Sequence, residues 1–416
     1  MAQSYKAPRL LILGTGWASY SVLKCINTKL YQVAVVSPRN HFLFTPLLPS
    51  TTVGTLEFRS IIEPIRNRNF AHASDYHLAS VENIDFQNKQ VIYRASLAPD
   101  ITSKLDYDKI VIGVGALPST FGVPGVREYS FFLKEVSDAR AIRSRILDNF
   151  ETSLETVGEQ EKQRLRHVVI VGGGPTGIEF GAELYDFCKD DLSRLYKDFG
   201  TPVCVTLVEG KQILGGFDKR LQVYAEKKLR NRPNFSMIKA NVTEVKADSV
   251  TLSDGRTLPC GLVVWSTGLA PRPFVQKLDC QKDAHGHILV DRNLNVLSDP
   301  TNDSYALGDC SEIIDMPLPA TAQVAERQGR YLANRLNKLA LNQPVQPFTF
   351  QSMGMLAYIG DYEALSDLKE FKLKGIFSWF LWRSAYLTRL GSWRLRLQVP
   401  LDWLKTMLFG RDTSRF

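Results

Sequence analysis

Two short runs of apolar residues, 10–13 and 168–171, each lead directly into a glycine-rich segment. A continuous apolar run of this length predicts a strand buried on both faces, and the residues after each glycine segment predict a helix. In a strand–loop–helix unit, glycine lets the backbone approach a pyrophosphate closely, and the helix N-terminus offers free N–H groups. Gly14-Thr15-Gly16 and Gly172-Gly173-Gly174 are therefore candidate sites for two dinucleotides, of which a flavin and a nicotinamide dinucleotide are the natural pair.

Apolar runs and turn signals organise the rest of the chain in the same way. Both halves close on an apolar strand followed by glycine, at Gly115 and Gly268, and a charged helical segment at 135–165 connects them. Asp254-Gly255 predicts a hairpin turn, and a further apolar strand ends at Asp309. We predict strands over 9–13, 31–37, 109–115, 167–171, 203–209, 262–267 and 305–309, and helices over 17–26, from 176 to about 196, and over 321–341.

Acidic residues at strand and helix ends refine both candidate sites. Glu209 ends the second strand of the second unit, where an acid accepts hydrogen bonds from ribose hydroxyls and repels a 2′-phosphate, so it favours NADH over NADPH. The matching position in the first unit is Ser37, and Ser19 replaces the third glycine there. Asp309 can bind the ribityl chain of a flavin or cap the following turn. Glu179 can face the nicotinamide or stabilise the first turn of its helix.

The positive charge of the chain is concentrated near its C-terminus. Residues 371–416 hold nine basic and two acidic side chains, which accounts for +7 of the formal net charge of +8. Four of the six tryptophans, Trp379, Trp382, Trp393 and Trp403, lie in the same segment. Aromatic rings with cationic flanks predict a helix lying in the plane of a membrane surface, with a packing or dimerisation helix as the alternative. No nucleic-acid-binding motif accompanies the charge, so nucleic acid is not an expected partner.

Several longer stretches resemble the eukaryotic type II NADH dehydrogenases, and the similarity runs from about residue 9 to the end of the chain. The matching stretches are Leu11-Ile-Leu-Gly-Thr-Gly-Trp17, Phe42-Leu-Phe-Thr-Pro-Leu-Leu-Pro49, Val171-Gly-Gly-Gly-Pro-Thr-Gly-Ile-Glu179, Ala306-Leu-Gly-Asp309 and Thr321-Ala-Gln-Val-Ala325. The resemblance implies a rotenone-insensitive NADH:quinone oxidoreductase, in which noncovalent FAD takes a hydride from NADH and reduces a membrane quinone without proton pumping.

The resemblance also implies a role for each site residue. FAD is expected at Gly14, Thr15, Gly16, Trp17, Ser37, Arg39, Thr45, Gly115, Asp309 and Ala322. NADH is expected at Gly172, Gly174, Gly177, Glu179, Glu209 and Gly268. The quinone is expected at Thr45, Pro46, Leu47, Gln323 and Glu326, with Gln323 and Glu179 as the catalytic residues.

No metal site is expected. The chain has no D-x-D-x-D-G loop, and the segment Asp291-Arg-Asn-Leu-Asn295 lacks the glycine and the distal glutamate of a calcium loop, so we predict a plain strand there.

The fold class that follows is α/β, with two Rossmann-type dinucleotide-binding domains (the two-dinucleotide-binding flavoprotein fold) and a C-terminal amphipathic helical region that anchors the protein to a membrane. We expect five segments. They are the first part of the FAD-binding domain (1–134), a helical connector (135–165), the NADH-binding domain (166–275), the second part of the FAD-binding domain with the quinone-site helix (276–347), and a membrane-association and dimerisation region (348–416).

Other functional classes make different demands on the sequence. Sulfide:quinone oxidoreductases and disulfide reductases need a reactive cysteine pair near the flavin, whereas the six cysteines form no C-x-x-C pair and residues 40–50 contain none. An NADH-binding signalling flavoprotein that turns over slowly is the alternative from a different class, and steady-state quinone reduction distinguishes it.

The resemblance implies a homodimer bound peripherally to the mitochondrial inner membrane. No presequence is visible before the first strand, and Ser414-Arg415-Phe416 loosely resembles a peroxisomal address, so a peroxisome or another membrane stays open as an alternative.

Overall fold

The computed structural model describes residues 7–68, 70–196 and 202–414. Arg415 and Phe416, the last two residues of the possible peroxisomal address, lie outside the described residues. The helices are α1 (Trp17–Cys25), α2 (Leu48–Thr51), α3 (Val126–Tyr129), α4 (Val136–Glu155), α5 (Glu159–Leu165), α6 (Pro175–Phe187), α7 (Ser193–Leu195), α8 (Lys219–Arg230), α9 (Pro273–Lys277), α10 (Ala322–Ala340), α11 (Ile376–Arg389) and α12 (Trp393–Phe409). Short 3-10 helices span Thr45–Leu47, Phe58–Ile61, Ile65–Asn67 and Ala73–Asp75, and a π-helical turn spans Cys188–Leu192.

The strands are β1 (Arg9–Leu13), β2 (Gln32–Ser37), β3 (His41–Leu43), β4 (Ile62–Pro64), β5 (Tyr76–Asp85), β6 (Gln90–Ala95), β7 (Thr102–Asp106), β8 (Lys109–Ile112), β9 (Ala116–Pro118), β10 (Phe131–Phe132), β11 (His167–Val171), β12 (Cys204–Val208), β13 (Phe235–Ile238), β14 (Val242–Val245), β15 (Ser249–Leu252), β16 (Thr257–Pro259), β17 (Leu262–Trp265), β18 (Leu269–Pro271), β19 (Ile288–Val290), β20 (Ser304–Ala306), β21 (Ser311–Ile313), β22 (Met355–Gly360), β23 (Glu363–Asp367) and β24 (Lys372–Gly375). The strands and helices predicted from apolar runs are confirmed, with ends that differ by a few residues.

The chain divides into two compact units. The first comprises the described residues of Met1–Leu43, Glu63–Leu117 and Leu269–Ser352, and the second comprises those of Phe44–Ile62, Pro118–Gly268 and Met353–Phe416. These boundaries differ from the five expected segments, because residues 44–62 and 118–134 belong to the second unit rather than to a continuous first segment. The second unit also includes α4, α5 and the described residues from Met353 onward, whereas residues 348–352 of the expected C-terminal region belong to the first unit.

The first unit is built on a sheet with the strand order β20-β8-β1-β2-β5-β6-β7. Strands β20, β8, β1, β2 and β5 are parallel, and β6 and β7 continue the sheet in antiparallel pairs. Helix α10 packs so closely on α1 that a Cβ atom at Gly329 would lie 2.3 Å from the carbonyl oxygen of Ala18. The carboxyl ends of the parallel strands lie at one edge, which is where such sheets bind ligands.

The second unit contains a parallel sheet in the order β10-β17-β11-β12-β13. Its central strands are buried on both faces, as their uninterrupted valine, isoleucine and leucine runs predict. Strands β14, β15 and β16 form a small antiparallel sheet, and Asp254-Gly255 lies between β15 and β16 as predicted. Gly255 has a φ of +87°, a conformation that a tight hairpin turn requires and that glycine adopts without strain.

The C-terminal region contains a second antiparallel sheet, which the pattern of apolar residues does not predict. Strands β22, β23 and β24 pair in order, and the turn between β22 and β23 is formed by Asp361 and Tyr362. Both turn residues have positive φ, 52° and 58°, and neither is glycine, so the usual glycine signal for a hairpin is missing. Helix α11 packs against this sheet.

The tryptophans of the C-terminal region are mostly internal. Trp379, Trp382 and Trp403 are buried, and Trp393 alone of the four is exposed, at 76%. The guanidinium of Arg383 lies 3.9 Å from the centroid of the Trp379 ring and 4.2 Å from that of Trp403. The prediction that these rings lie at a membrane surface is therefore wrong for three of the four, which instead pack α11 and α12 onto the unit. Among the described residues no helix is long and apolar enough to cross a membrane.

The segment Asp291–Asn295 is a turn, so the predicted plain strand is wrong. The Asp291 carboxylate accepts hydrogen bonds from the backbone N–H groups of Asn293 and Asn295, at 2.8 and 2.9 Å. Aspartate competes in this way for local backbone donors and favours a turn over an extended strand. In the part of the chain that the structure describes, no group of three or more His, Cys, Asp or Glu side chains is arranged to hold a metal ion.

Candidate functional site

The first glycine loop lies between β1 and α1, at the carboxyl edge of the sheet of the first unit. Gly14 has a φ of +92°, and a Cβ atom there would lie 2.5 Å from the carbonyl oxygen of Gly113. Gly16 begins α1 with an ordinary φ of −75°, and nothing lies within 4 Å of the position its Cβ would take. Gly14 is thus required by the neighbouring strand, whereas Gly16 leaves open space in front of a helix N-terminus. A pyrophosphate bound at a helix N-terminus needs open space of this kind.

Three of the residues expected at FAD lie together beside this loop. The Thr15 hydroxyl is 3.1 Å from the Ser37 hydroxyl and donates to the carbonyl oxygen of Arg39, 3.0 Å away. The Arg39 side chain donates from Nε to the carbonyl oxygen of His41 at 3.0 Å and from a terminal nitrogen to that of Thr15 at 3.4 Å. The end of β2 is therefore joined to the glycine loop by the hydroxyls of Thr15 and Ser37 and by the Arg39 guanidinium, which two carbonyl oxygens fix in place.

The remaining first-unit residues lie at the ends of neighbouring elements. Gly115 follows β8 with a φ of +65°, and the N–H of Gly308, just after β20, donates to the Gln328 side chain at 2.7 Å. Asp309 comes next and is partly buried. The Trp17 ring packs edge-on against Phe42, with ring centroids 5.0 Å apart.

The expected quinone-site helix α10 begins where it was predicted. The hydroxyl of Thr321 accepts the Val324 N–H at 3.3 Å and caps the helix. Ala322 and Gln323 form its first turn and are partly buried, and Glu326 is paired with Arg330 at 2.7 Å.

The second glycine loop lies between β11 and α6 in the second unit. A Cβ atom at Gly177 would lie 2.0 Å from the carbonyl oxygen of Gly172, which itself has a φ of +113°. Nothing lies within 4 Å of a Cβ at Gly174, so this loop also leaves space at the start of its helix. The Glu209 carboxylate accepts the N–H of Gly173 at 2.7 Å and that of Lys211 at 2.8 Å. The acid that ends β12 is therefore held at the loop, and Gly268 follows β17 with a φ of +73°.

We predict that Glu209→Gln makes NADPH usable, because the substitution removes the negative charge that opposes a 2′-phosphate while Gln can still accept the Gly173 N–H. The ratio of kcat/KM for NADH over NADPH should fall by about tenfold. Glu226→Gln is the matched control, because Glu226 forms an exposed ion pair with Arg230 on α8, and it should leave the ratio unchanged. An unchanged ratio in the Glu209 variant would contradict the placement of the ribose at this residue.

Glu179 is buried on α6, with partners from the C-terminal region of the same unit. Its carboxylate accepts the backbone N–H of Tyr358 on β22 at 3.2 Å. Burial raises the pKa of Glu179 to about 8, and the Tyr358 N–H acts in the opposite direction. Asp186, seven residues on, accepts the Tyr358 hydroxyl at 2.6 Å, and burial raises its pKa to about 6. Glu179 therefore holds a proton at neutral pH, and whether it also faces the nicotinamide stays a prediction.

Glu183 lies on the same face of α6 and is tied to the segment that carries three expected quinone-site residues. Its two carboxylate oxygens accept the hydroxyls of Ser50 at 2.7 Å and Thr55 at 2.6 Å. This segment begins with the 3-10 helix Thr45–Leu47, in which Thr45 and Pro46 are partly buried and Leu47 is buried. The preceding Phe44 ring packs edge-on against Tyr386 of α11, with ring centroids 5.8 Å apart.

The structure thus adds partners that no sequence motif indicates, chiefly Tyr358 and Tyr386. It places Gln323 and Glu326 in the first unit, and Thr45–Leu47 and Glu179 in the second. The spacing of Glu179, Glu183 and Asp186 along one helix face was the available signal, because acids at i, i+4 and i+7 require buried partners when the helix is otherwise apolar.

All six cysteines are free thiols. Burial raises the pKa of Cys188 and of Cys260 to about 12 and that of Cys310 to about 11, which disfavours the reactive thiolate at these positions.

Two glycine loops that each open onto a helix N-terminus at the edge of a parallel sheet define a class, the two-dinucleotide-binding oxidoreductases. In agreement, residues 8–329 match the model of the family "Pyridine nucleotide-disulphide oxidoreductase". Residues 353–412 match the model "NDH2 C-terminal domain".

Curated relatives identify the branch of this class. The chain is 45% identical to the Arabidopsis thaliana internal alternative NAD(P)H-ubiquinone oxidoreductase A1, mitochondrial, over 98% of this chain and 86% of the relative. It is 45% identical to a probable NADH dehydrogenase of Dictyostelium discoideum, over 98% and 91%. The structure of Plasmodium falciparum NDH2 in complex with NADH superposes with a TM-score of 0.92 at 28% identity, covering 98% of this chain and all of that one. The chain therefore belongs to the NDH2 family of alternative NADH dehydrogenases.

Proposed function

We propose that this chain is an FAD-dependent NADH:ubiquinone oxidoreductase that does not pump protons. The observation that carries the proposal is the combination, in one chain, of two open glycine loops with the NDH2 C-terminal domain. Bound FAD would accept a hydride from NADH and pass two electrons to the quinone. Overall, NADH, one proton and the quinone give NAD⁺ and the quinol, so the protein must bind both substrates and deliver protons to the quinone oxygens.

The first unit supplies the residues proposed to hold FAD. Nothing lies within 4 Å of a Cβ atom at Gly16, just before α1, and the free N–H groups of a helix start suit a pyrophosphate. Ser37 ends β2, where a dinucleotide places its adenosine ribose, and its neutral hydroxyl lies beside that of Thr15 from the glycine loop. Arg39 adds a positive charge there. Asp309, three residues after β20 of the same sheet, is proposed to bind the ribityl hydroxyls.

The second unit supplies the residues proposed to hold NADH. Gly174 leaves the start of α6 open for a pyrophosphate, and Gly172 and Gly177 shape the loop behind it. The Glu209 carboxylate is held at this loop by two backbone N–H groups, a position that suits a ribose-binding acid. In the same family, the Plasmodium falciparum protein was solved with NADH bound.

Gln323 and Glu326 of the first unit and the segment Thr45–Leu47 of the second are the residues proposed to bind the quinone, as the family resemblance implies. Gln323 would hydrogen-bond the quinone head, because an amide can donate to a carbonyl oxygen without changing its charge. Glu179 is proposed to hold the proton at its carboxyl oxygen, since its surroundings keep it neutral at pH 7.

The proposed membrane surface is the outer face of α11 and α12. Residues 397, 401, 404 and 408 follow one another at helical spacing and are all exposed. Lys374, Arg394 and Lys405 are basic residues of the same region and suit anionic headgroups. The exposed apolar side chains of this surface are Phe377, Phe380, Trp393, Leu397, Leu401, Leu404, Met407, Leu408 and Phe409.

We propose that the protein binds peripherally to the mitochondrial inner membrane as a homodimer. The Arabidopsis thaliana relative and an external alternative NADH-ubiquinone oxidoreductase of Yarrowia lipolytica both carry the word mitochondrial in their names, which supports the organelle. The exposed apolar surface of α11 and α12 is large enough to be buried either in a lipid surface or against a second copy of this chain. Light scattering of the purified protein with and without lipid distinguishes these two covers.

The activity itself is tested with the purified protein. We expect an absorption spectrum of bound flavin and NADH oxidation that speeds up at least about tenfold when a short-chain ubiquinone is added. A protein that holds flavin and reduces it with NADH, yet shows no quinone-dependent turnover, would favour the slow signalling flavoprotein instead.

We predict that replacing Leu397, Leu401 and Leu408 together by Gln releases the protein from vesicles containing anionic lipid. Each leucine contributes about 1.5–3 kcal/mol on full burial in an apolar environment, so three of them account for most of the binding. Vesicle flotation measures the bound fraction, and NADH reduction of ferricyanide should persist. The control replaces Leu97, Val157 and Leu341 by Gln, because these are exposed apolar residues in segments between other helices and strands. Equal flotation of all three proteins would place the membrane surface elsewhere.

A further inference from the structure

Arg411 lies two residues after the end of α12 and is buried although it carries a permanent charge, with its side chain 10% exposed. One terminal nitrogen donates to the Asp191 carboxylate at 2.7 Å, and the backbone N–H of Arg411 donates to the other oxygen of the same group at 3.0 Å. Its Nε donates to the hydroxyl of Thr55 at 2.8 Å. Arg411 thus joins the π-helical turn that carries Asp191 to the segment that carries Thr55.

Glu183 completes this cluster. Its carboxylate accepts the hydroxyls of Ser50 and Thr55 and lies 3.9 Å from the Arg411 guanidinium. Asp191 and Glu183 are both almost fully buried, so each needs a positive charge nearby. Removing one partner of such a group leaves an uncompensated buried charge. The loss of folding free energy is then larger than the stabilisation that the intact pair contributes.

Further hydrogen bonds tie α12 to the same segment. The Asp402 carboxylate accepts the N–H of Glu57 at 3.1 Å, and the Thr406 hydroxyl donates to the carbonyl oxygen of Thr55 at 3.2 Å. Arg143 on α4 donates to the carbonyl oxygen of Asp412 at 2.7 Å. The helix that carries the exposed apolar stripe is therefore fixed to residues 55–57, about ten residues after Thr45–Leu47.

We propose that Arg411 is a positioning residue for quinone reduction, which holds the proposed quinone-site segment Thr45–Leu47 in register with the membrane-facing helix α12 through Thr55 and Glu183. The inference rests on the proposed function. Glu183 fixes α2 at Ser50, and α2 follows the 3-10 helix Thr45–Leu47 without a break, so a displaced Glu183 displaces that helix. Arg411 supplies the positive charge that compensates the buried carboxylates of Glu183 and Asp191 and holds them in place.

The test compares Arg411→Met with Arg194→Met in the full-length protein. Arg194 also faces Asp191, at 3.8 Å, but it is exposed and makes no bond to Thr55, so it is a matched control for loss of charge. For Arg411→Met we expect the KM for a short-chain ubiquinone to rise about tenfold, with ferricyanide reduction by NADH and flavin content within about twofold of the parent. Arg194→Met should match the parent in all three.

A second pair of variants keeps the inference testable if Arg411→Met does not fold. Thr55→Val removes the hydroxyl that bridges Arg411 and Glu183, whereas Thr52→Val, three residues earlier, removes a buried hydroxyl that bonds only to Pro49 of its own helical turn. Thr55→Val should raise the quinone KM and Thr52→Val should not.

Parallel loss of quinone and ferricyanide activity, or equal effects of the two threonine variants, would overturn the positioning role and leave a purely structural one. A parent protein that oxidises NADH with ferricyanide but not with quinone would instead refute the proposed function, so the two failures are distinguishable.

Discussion

Gly16→Ala should yield a folded protein that has lost most of its flavin. In the structure Gly16 has an ordinary φ, and its Cβ would meet nothing within 4 Å, so the protein alone tolerates the added methyl group. If a pyrophosphate lies at the start of α1, the same methyl group occupies the space of a phosphate oxygen. We expect flavin affinity to fall by about tenfold or more, measured as the flavin-to-protein absorbance ratio after gel filtration.

Two other glycines separate this effect from a folding defect. Gly158 begins α5 with a similar φ of −87° and equally open surroundings, so Gly158→Ala is the matched control and should keep its flavin. Gly14→Ala should lose stability as well as flavin, because a φ of +92° and a contact of 2.5 Å with Gly113 leave no room for a side chain. Full flavin content in the Gly16 variant would mean that the pyrophosphate does not lie at this loop.

The glycine loops were predictable because their geometry is local. A short apolar strand, a glycine with positive φ and an open helix start all lie within eight residues of one another, as at Leu11 to Ala18. The sheet β22-β24 was not predictable on that basis, because its tightest turn uses Asp361 and Tyr362 in a conformation that non-glycine residues adopt with strain.

The prediction that the C-terminal tryptophan rings lie at a membrane surface was wrong for a different reason. Aromatic rings beside basic residues are typical of a membrane interface, but the same composition arises when an arginine stacks between rings inside a protein, as Arg383 does between Trp379 and Trp403. Sequence alone does not show which face of α11 is covered. The exposed leucine stripe of α12 became visible only once the packing of that helix was known.

The surroundings of Glu179 could not be predicted either. Its position in the first turns of α6 follows from the glycine loop, but Tyr358, the residue whose N–H it accepts, is 179 residues away in the chain. The same holds for Glu183, whose partners Ser50 and Thr55 are 133 and 128 residues away. Long-range partners of this kind decide whether an acid near a helix N-terminus is solvated or buried, and therefore its pKa.

Glu179→Gln should stabilise the protein at alkaline pH and slow quinone reduction. Burial raises the pKa of Glu179 from 4.5 to about 8, so its stabilising contribution is complete below pH 4.5 and is lost as the pH rises through 8. Gln has no proton to lose and can still accept the Tyr358 N–H. The variant should therefore match the parent near pH 4.5 and exceed it in unfolding free energy by on the order of 3 kcal/mol at pH 8.5.

Asp186→Asn is the matched control, because Asp186 lies on the same helix face and also contacts Tyr358. Its pKa is raised only to about 6, so any gain in unfolding free energy from Asn is complete by pH 7 and does not grow further at pH 8.5.

Quinone turnover should fall about 100-fold in Glu179→Gln if the Glu179 carboxyl holds the transferred proton, with ferricyanide reduction preserved. Denaturant unfolding at pH 4.5, 7 and 8.5 measures the first effect, and turnover with the two acceptors measures the second. Stabilisation without loss of quinone turnover would leave Glu179 as a buried structural acid, and loss of both activities together would place its role at flavin reduction instead.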